Sequence, residues 1–400
     1  MSPDAKTAAL LVLNAGSSSL KFAVFAVQGQ ALTQRYDGQM EGIGAAPHFI
    51  LRDAKRATLK EYRFTAAEAP KGHEGALGVI LTALAPLLDG ASIRAIGHRV
   101  VHGGRDLSVP VIITDTIMAK LHALVPLAPL HQPHNLAGIE AAARHFPGVA
   151  QIACFDTAFH RTQSHAAASF ALPPRFFDQG ILRYGFHGLS YEYIARHLAA
   201  EDPALGQARL VVAHLGNGAS LCAIQGGQSR ATTMGFTALD GVPMGTRSGQ
   251  LDPGVVLHMM DHLGMTSAEI ADLLYHDCGL KGMSGISQDV RDIEAAGTPA
   301  AEAALDHFAF RVRREIGALA ASIGGIDALV FTAGIGENAA ALRARICAGL
   351  EFLGIRLDPV RNAAHQLEIG QTGGPVRVLV RRTDEEAMIA RHTLSLLTQA

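Results

Sequence analysis

Residues 11–25 read LVLNAGSSSLKFAVF, in which two apolar runs are joined by one glycine and three serines. The runs predict two strands, and the small residues predict the turn between them. Backbone N–H groups in such a turn can approach an anion closely, and Lys21 adds a positive charge beside it. The stretch therefore predicts a hairpin, which is either a plain connection or one whose turn binds phosphate.

The sequence VAHLGNGASLCAI at 212–224 repeats this arrangement of apolar run, small-residue turn and apolar run. Gly16 corresponds to Gly216, and Ser19-Leu20 corresponds to Ser220-Leu221 after a shift of one residue. The repetition indicates two related halves, each of which places a glycine-rich turn toward a shared cleft.

The sequence VFTAGIGEN at 330–338 predicts a buried strand that runs into Gly334 and Gly336, with a helix that begins near Asn338. Such a segment suits a flat base, or a phosphate at a helix N-terminus. The chain has no GxxxxGK[ST] motif, and no GxGxxG opens a helix after the first strand, which argues against a P-loop and against a dinucleotide fold. We therefore expect any phosphate binding to use the hairpin turns.

The composition predicts a large two-domain protein. The chain has 400 residues, 48% of them hydrophobic, and a formal net charge of −2. Apolar runs that alternate with amphipathic stretches predict an α/β fold. Segment 40–75 is polar and weakly periodic, and we expect an irregular insertion there. Strands are predicted at 9–14, 21–27, 94–101, 150–155, 209–214, 219–224 and 328–332, and helices at 114–124, 135–146, 189–199, 254–263, 267–276, 300–321, 339–349 and 384–397.

Several classes of function are disfavoured by the sequence. Mixed charges argue against a nucleic-acid partner, which would need a basic face. The N-terminal apolar run is too short for a membrane span, and HMMDH at 258–262 lacks the glutamate of a zinc-protease motif. We expect a cytoplasmic protein with reduced thiols, because its cysteines are widely spaced: Cys154, Cys222, Cys278 and Cys347.

Two arginines lie in segments that suit a small anion. IGHRVVHGG at 96–104 predicts a strand with Arg99 and Val101 on one face, so that a guanidinium lies beside an apolar wall. This pair suits a small carboxylate with a short alkyl tail, although a structural ion pair is the alternative. MGTRSGQLDPG at 244–254 places Arg247 on a loop, where it would balance the charge of a carboxylate that meets a phosphoryl group.

Three further polar residues are candidates for the site. Asp156 follows a buried strand, where α/β sites form, and an Asx turn is the alternative. His187 lies between two glycines and could bond a phosphoryl oxygen or be structural. TDEEAMIARHT at 383–393 predicts a helix with a capping box from Thr383 to Glu386. Glu385 in its first turn would either cap the helix or lie near a divalent cation.

These motifs together resemble the acetokinase family nearly end to end, through VLNAGSSSLKF, GHRVVHGG, APLHQPHN, FDTAFH, YGFHGLS, HLGNGAS, MGTRSG, GISQDVRD, AGIGEN and TDEEAMIA in this order. The resemblance implies two ribonuclease-H-like domains of the sugar-kinase, Hsp70 and actin architecture, with ATP in the interdomain cleft. Residues 1–157, completed by helix 387–400, would bind acyl substrate and phosphate, and residues 158–386 would bind the nucleotide.

The resemblance also implies an activity and a set of roles. The activity is reversible, Mg²⁺-dependent transfer of the ATP γ-phosphate to acetate, giving acetyl phosphate and ADP, by a homodimer; Mn²⁺ could replace Mg²⁺. Catalytic roles fall to Asp156, His187, Arg247 and Arg99.

The resemblance assigns residues to three ligands. The metal would contact Asn14 and Glu385. Acetate would contact Arg99, Val101, Leu130, His131 and Phe186. ATP would contact a larger set: Lys21, His214, Leu215, Gly216, Asn217, Gly218, Asp289, Val290, Arg291, Gly334, Ile335, Gly336, Glu337 and Asn338.

Asp156 occupies the family's catalytic acid position. Because a carboxylate acceptor needs no general base, we expect Asp156 to orient an arginine or a metal-bound water instead. The sequence departs from the family pattern at Ala238, where proline is usual, and at Gln132, His134 and Gln250. The smaller Ala238 leaves a propionate or butyrate kinase as the alternative.

Two other classes fit the sequence less well. A non-enzymatic nucleotide switch would need a peptide-binding domain, for which the chain has no extension. A sugar or glycerol kinase would need an aspartate base and hydroxyl-binding residues, whereas two arginines and an apolar wall suit a carboxylate.

Overall fold

The computed structural model describes residues 8–16, 18–88 and 90–399, which form two compact units. The first unit comprises the described residues up to Ala158 together with the C-terminal segment from Asp384, and the second comprises Phe159–Thr383. The described residues do not include Ser17 of the first predicted turn, nor residues 1–7 and 400 of the predicted N-terminal domain.

The strands and helices have the following bounds. The strands are β1 (Ala8–Ala15), β2 (Ser19–Gln28), β3 (Ala31–Glu41), β4 (His48–Asp53), β5 (Thr58–Arg63), β6 (Ser92–Val100), β7 (Val111–Ile112), β8 (Ala150–Phe155), β9 (Arg209–Leu215), β10 (Ala219–Gln225), β11 (Gln228–Thr232), β12 (Ala328–Thr332) and β13 (Arg377–Val380). The helices are α1 (Gly72–Leu84), α2 (Asp115–Ala123), α3 (Gln132–His145), α4 (His165–Ala168), α5 (Pro174–Asp178), α6 (Gly188–Glu201), α7 (Pro203–Gln207), α8 (Pro253–Asp261), α9 (Ser267–Asp272), α10 (Gly279–Ser284), α11 (Val290–Ala296), α12 (Pro299–Ser322), α13 (Ala333–Asn338), α14 (Ala340–Cys347), α15 (Pro359–Ala363) and α16 (Glu385–Gln399). Short 3-10 turns lie at Ala85–Leu87, Val125–Leu127, Ala158–Thr162 and Glu351–Leu353, and a π-helical turn lies at Leu273–Asp277.

Each unit is built on a sheet with the same five-strand core. The first sheet has the order β5-β4-β3-β2-β1-β6-β8-β7, and the second has the order β11-β10-β9-β12-β13. In both, three antiparallel strands are followed by two strands parallel to the first strand of the unit. The strands β3-β2-β1-β6-β8 therefore match β11-β10-β9-β12-β13, which confirms the two related halves that the repeated hairpin predicts.

The two predicted glycine-rich hairpins are both present. In the first, Ala15 pairs with Leu20 across the turn, and Gly16 N donates to Ser19 O at 2.8 Å. In the second, Leu215 pairs with Ala219, and Gly216 N donates to Gly218 O at 3.1 Å. Each turn is thus held at its base by one backbone hydrogen bond.

The core of the first unit lies on both faces of its sheet. On one face Leu11 and Leu13, two positions apart on β1, pack with Leu77 and Ile80 of α1. On the other face α16 packs against β1 and β6. A Cβ on Gly97 of β6 would lie 2.6 Å from Ile389 Cγ2, so only glycine lets α16 approach this strand.

The sheet of the second unit is likewise covered by helices. Ile194 and Leu198 of α6 pack on Val212 of β9 and Val330 of β12. Helix α12 packs against β9, β10 and β11. Among the described residues no helix is long and apolar enough to cross a membrane.

The irregular insertion predicted for 40–75 is wrong. Strands β4 and β5 lie within it and extend the antiparallel part of the first sheet beyond β3. Phe49 and Leu51 are buried, but β5 is largely exposed and polar. An edge strand of this kind has one solvated face and gives little hydrophobic periodicity, which is why the sequence pattern did not indicate it.

Candidate active site

Polar side chains of the first unit meet at the carboxyl ends of three neighbouring strands. Asn14 lies near the end of β1, Arg99 lies next to the end of β6, and Asp156 follows β8 directly. These strands are adjacent and parallel, so their carboxyl ends share one edge of the sheet. The order of the strands therefore brings together residues that are far apart in the sequence.

Asp156 and Arg99 form a buried ion pair. Asp156 Oδ2 accepts hydrogen bonds from Arg99 Nε at 2.9 Å and from Arg99 Nη2 at 2.5 Å, and the Asp156 side chain is fully buried. Burial raises the pKa of Asp156 to about 6, because the opposing effect of Arg99 is smaller. Burial alone would lower the pKa of Arg99, but the carboxylates around it raise that pKa overall.

The predicted Asx turn is not needed to explain Asp156, because its carboxylate holds Arg99. Oδ1 of Asp156 is buried and has no hydrogen-bond partner among the described residues. Arg99 Nη1 lies 3.4 Å from Asn14 Oδ1. The carboxylate thus fixes one edge of the guanidinium, and Nη1 faces the end of β1.

Two glutamates at the start of α16 complete this cluster. Asn14 Nδ2 lies 3.4 Å from both Glu385 Oε2 and Glu386 Oε1, and Arg99 Nε lies 4.0 Å from Glu385 Oε2. Burial, followed by repulsion from Glu385, raises the pKa of Glu386, while Lys21 opposes the rise. The sequence indicated Glu385 but gave Glu386 only a capping role.

The predicted capping box from Thr383 to Glu386 is wrong. Asp384 caps the helix, since its Oδ1 accepts from Ala387 N at 2.8 Å, and Thr383 Oγ1 is buried without a hydrogen-bond partner among the described residues. Glu386 is thereby left for the polar cluster. Aspartate is as good an N-cap as threonine, which is why spacing alone pointed to the wrong residue.

The cluster fits a divalent cation of the magnesium type. Its donors are the hard oxygens of Asn14, Glu385 and Glu386, and the two carboxylates are close enough that Glu385 contributes, after burial, to the raised pKa of Glu386. In the described part of the chain no group of three Asp, Glu, His or Cys side chains forms a closed metal cage. Mg²⁺ needs none, because it keeps waters and substrate oxygens as most of its ligands.

The start of α3 anchors the ends of β1 and β6. Asn135 Nδ2 donates to Ala15 O at 2.6 Å, and Asn135 Oδ1 accepts from Val101 N at 2.9 Å. Gln132 Oε1 accepts from His102 N, and Gln132 Nε2 donates to His102 O, each at 3.2 Å. Both amides are buried, so Gln132, which departs from the family pattern, is a backbone clamp.

The predicted acyl-pocket residues are distributed over both units. Val101 is buried beyond the end of β6, and Leu130 and His131 are half-buried before α3, all in the first unit. Phe186 is buried in the second unit, where its carbonyl accepts a hydrogen bond from His160 Nε2 at 2.9 Å. Lys21, which is predicted to contact ATP rather than acetate, is exposed on β2 opposite Asn14.

A cavity of about 440 Å³ in the second unit lies where ATP is predicted to bind. This volume is within the range of small-molecule sites. The cavity contains eight of the predicted nucleotide residues, namely Gly216, Asn217, Asp289, Val290, Arg291, Gly334, Ile335 and Asn338, and it adds Gln288, Glu294 and Ala339. Of the remaining predicted residues in this unit, His214 and Leu215 are buried in β9, and Gly218, Gly336 and Glu337 do not line the cavity.

The strand that was predicted to run into Gly334 and Gly336 ends at Thr332, and a short helix follows it directly. Helix α13 begins at Ala333, which has a φ of 65°, so the two glycines lie inside a helix and the helix does not begin near Asn338. Asn338 Nδ2 donates to Gly334 O at 2.9 Å. The pKa of Glu337 is raised by burial.

The side chain of Arg343 binds the C-terminal end of α13. This side chain is buried, and Nη1 donates to Gly336 O and to Glu337 O, both at 2.9 Å. Nε donates to Asn362 Oδ1 at 2.9 Å. A guanidinium at a helix C-terminus also interacts favourably with the helix dipole. The sequence gave no sign of this residue, because its partners on α13 are backbone carbonyl groups.

His187 lies at the start of α6 in the left-handed conformation, with a φ of 58°. His187 Nδ1 lies 2.8 Å from Ser220 Oγ, and its ring stacks on that of His214 with centroids 4.2 Å apart. A Cβ on Gly218 would lie 3.3 Å from His187 Nε2 and 3.2 Å from Arg247 Nη2. The second turn, His187 and Arg247 are therefore brought together, as the resemblance implies.

The repeated sheets and the glycine-rich turns define the ribonuclease-H-like architecture of sugar kinases, Hsp70 and actin. The family model described as Acetokinase family matches residues 9–391. An acetate kinase from Methylocella silvestris is 52% identical over 396 residues, which is 98% of either chain. The chain belongs to the acetokinase family.

Solved structures of this family superpose on the whole chain. Porphyromonas gingivalis acetate kinase gives a TM-score of 0.85 at 36% identity and covers 98% of this chain and 100% of its own. A propionate kinase from Francisella tularensis gives a TM-score of 0.88 at 35% identity, with 96% of this chain and 98% of its own chain covered. The similarity therefore extends to relatives that are named for two different acyl acceptors.

Proposed function

We propose that this chain is an ATP-dependent kinase that phosphorylates acetate reversibly, forming acetyl phosphate and ADP. The observation that carries the proposal is the guanidinium of Arg99, which the buried Asp156 holds at the end of the sheet beside Asn14 and the first residue of α16, Glu385. Membership of the acetokinase family and the name of a relative that is 52% identical support it.

The acceptor chemistry requires orientation and charge rather than a base. Acetate is ionised at neutral pH and is already a nucleophile, so its obstacle is repulsion from the phosphates of ATP. Arg99, fixed along one edge by Asp156, would bind the carboxylate, and Val101, Leu130, His131 and Phe186 would surround the methyl group. The role of Asp156 is then to hold Arg99 in a productive orientation.

The donor side belongs to the second unit. ATP would occupy the cavity between the turn at Gly216, helix α11 and helix α13. His187 and Arg247, which both face Gly218, would stabilise the transferring phosphoryl group, since such sites act mainly through prearranged charges and hydrogen bonds. Lys21 on the first unit would add a positive charge for the phosphates.

A magnesium ion, or manganese in its place, would be held by Asn14 and Glu385 and would neutralise charge on the phosphates of ATP. Glu386 is a third oxygen donor beside them. In the bounds of the two units, the first, which takes the chain up to Ala158 and again from Asp384, would bind the acyl group and phosphate, and the second, Phe159–Thr383, would bind the nucleotide.

We also propose that the enzyme is a cytoplasmic homodimer. Between residues 251 and 310 the second unit exposes eight large apolar side chains: Leu251, Val255, Leu257, Met260, Leu263, Met283, Ile286 and Phe310. Exposed apolar groups in this number favour a protein partner. We take the partner to be a second copy of the chain, because the family resemblance implies a homodimer.

Propionate is the second candidate acceptor. Ala238 stands where the family usually has proline, its carbonyl accepts from Arg247 Nη1 at 2.9 Å, and one solved relative is a propionate kinase. One methylene changes acceptor discrimination by only about 1–3 kcal/mol. Discrimination between the two acids by size would therefore be weak.

The test is the initial rate with MgATP and formate, acetate, propionate or butyrate, with the acyl phosphate trapped by hydroxylamine. We expect the highest kcat/KM with acetate. A propionate optimum would transfer the assignment to the second candidate, and no acyl phosphate from any acid would overturn both. Val101→Ala should shift the preference toward propionate, whereas Val100→Ala, which alters the opposite face of the strand, is the matched control.

A further inference from the structure

A buried chain of hydroxyl groups leads to His187. Tyr191 Oη lies 2.6 Å from Ser220 Oγ, which lies 2.8 Å from His187 Nδ1. Tyr191 and Ser220 are both fully buried. Among the described residues, Ser220 is the hydrogen-bond partner of the tyrosine hydroxyl.

The number of available hydrogens determines which group donates in each of these hydrogen bonds. Burial raises the pKa of Tyr191 well above its usual value, so the phenol keeps its proton and has one hydrogen to donate. Tyr191 donates it to Ser220 Oγ, and Ser220 then donates its own hydrogen to His187 Nδ1. In the reverse direction the phenol hydrogen would be buried without an acceptor, which is costly. Nδ1 is thus an acceptor, and neutral His187 carries its hydrogen on Nε2.

The stacked ring of His214 disfavours a pair in which both imidazoles are protonated. The two imidazoles are nearly parallel, with centroids 4.2 Å apart, and His214 Nδ1 lies 2.8 Å from Ser190 Oγ. Two imidazolium ions at this separation would repel each other strongly. A neutral His187 can bind a phosphoryl oxygen only if its remaining hydrogen points at that oxygen.

Nε2 of His187 faces the place where such an oxygen is expected. A Cβ on Gly218 would lie 3.3 Å from Nε2 and 3.2 Å from Arg247 Nη2, so the imidazole N–H and the guanidinium border the same point of the turn. The absence of a side chain at Gly218 leaves this point open to a ligand.

We propose that Tyr191 is a positioning residue for phosphoryl transfer: through Ser220 it holds His187 in the tautomer with hydrogen on Nε2, which donates to the transferring group. This inference rests on the proposed kinase activity and deepens it. Tyr191 acts through two hydrogen bonds and touches no substrate. As a residue of α6 that packs in the core, it would otherwise be assigned to stability alone.

The experiment combines kinetics with the ¹⁵N spectrum of the histidine rings. Tyr191→Phe keeps the ring in the core and removes the hydroxyl. We expect His187 of the wild type to show hydrogen on Nε2, and the variant to show a mixture of tautomers, with His187→Gln used to assign the signals. We expect kcat to fall about tenfold, the effect of one misdirected hydrogen bond, while KM for ATP and acetate stays near wild type.

Tyr184→Phe is the matched control. Tyr184 is also buried in the second unit, but its hydroxyl donates to Gly180 O at 2.9 Å, so its loss should leave the His187 spectrum and kcat unchanged. Ser220→Ala tests the same chain at its second member and should also mix the tautomers. It serves in place of Tyr191→Phe if that variant does not fold.

Two results would overturn the proposal. One is a wild-type His187 with its hydrogen on Nδ1, which needs no variant at all. The other is a folded Tyr191→Phe enzyme whose His187 keeps the Nε2–H tautomer, because any loss of rate would then be structural. If the wild type forms no acyl phosphate, the proposed function fails separately, and the spectrum still decides the tautomer.

Discussion

Replacement of Asp156 by asparagine tests whether this carboxylate serves to orient Arg99. Asp156 Oδ2 accepts from both Nε and Nη2 of Arg99, and the side chain is fully buried. Asparagine keeps the shape but removes the charge, so the guanidinium is left without its main partner. Removing one member of a buried ion pair costs about 3–5 kcal/mol. Because the amide oxygen can still accept one bond, we expect the lower limit of about 3 kcal/mol.

This loss should appear in the reaction of acetate. If about 3 kcal/mol of oriented binding is lost in the transition state, kcat/KM for acetate falls about 100-fold. KM for ATP should not change, because the nucleotide cavity is lined by residues of the second unit. The assay is the initial rate of hydroxamate formation at neutral pH with saturating MgATP and varied acetate, together with thermal unfolding of the variant.

Asp327→Asn is a matched control for this substitution. Asp327 forms an ion pair with Arg209 at 2.6 Å, but the pair is partly exposed and lies on neither predicted substrate site. We expect its kcat/KM to remain at the wild-type value. A folded Asp156→Asn enzyme with wild-type kcat/KM for acetate would refute the reasoning. A fall in kcat with unchanged KM and a shifted pH profile would instead assign Asp156 a proton-transfer role.

Three further predictions concern two sets of buried groups and one exposed side chain. The first is Arg343→Lys: an ammonium group lacks the guanidinium fork that holds Gly336 O, so KM for ATP should rise about tenfold while KM for acetate stays unchanged. Equal changes in both KM values would contradict this prediction. His98 and His160 are buried with pKa values lowered to about 4 from 6.5, so the unfolded chain binds protons that the folded chain does not. Stability should be full above pH 6.5 and fall toward pH 4 by up to about 3 kcal/mol per histidine in urea unfolding; a flat profile would refute this. Leu257→Glu, at a side chain that is 59% exposed, should convert the proposed dimer to a monomer in light scattering, and an unchanged mass would exclude this face.

The sequence predicts the parts of the fold that are local. Both glycine-rich hairpins, the strand before Asp156 and the helix after Asp384 follow from apolar runs bounded by small or capping residues, which act over a few positions. The repeated hairpin also indicated two related halves, because the same turn requires the same pairing of strands. Strand β5 was missed because it lies at an edge and shows little alternation.

The remaining features depend on contacts between distant residues that no local pattern records. Glu386 joins the polar cluster only because Asp384, rather than Thr383, caps α16. Arg343 holds α13 through the backbone carbonyls of Gly336 and Glu337, and a backbone carbonyl carries no sequence signal. In the sequence Tyr191 is indistinguishable from a core residue of a helix, and only the structure shows that its hydroxyl is hydrogen-bonded to Ser220.

The charges of the first-unit cluster favour the proposed divalent cation. Three carboxylates, Asp156, Glu385 and Glu386, lie in this cluster with Arg99, and Lys21 also acts on Glu386. If all three were ionised, the cluster would be negative and would repel acetate, even though Arg99 is correctly oriented. Burial raises the pKa of Glu386, and repulsion from Glu385 adds to the rise. A divalent cation would relieve the repulsion of acetate, so we expect acetate and the cation to bind with positive cooperativity.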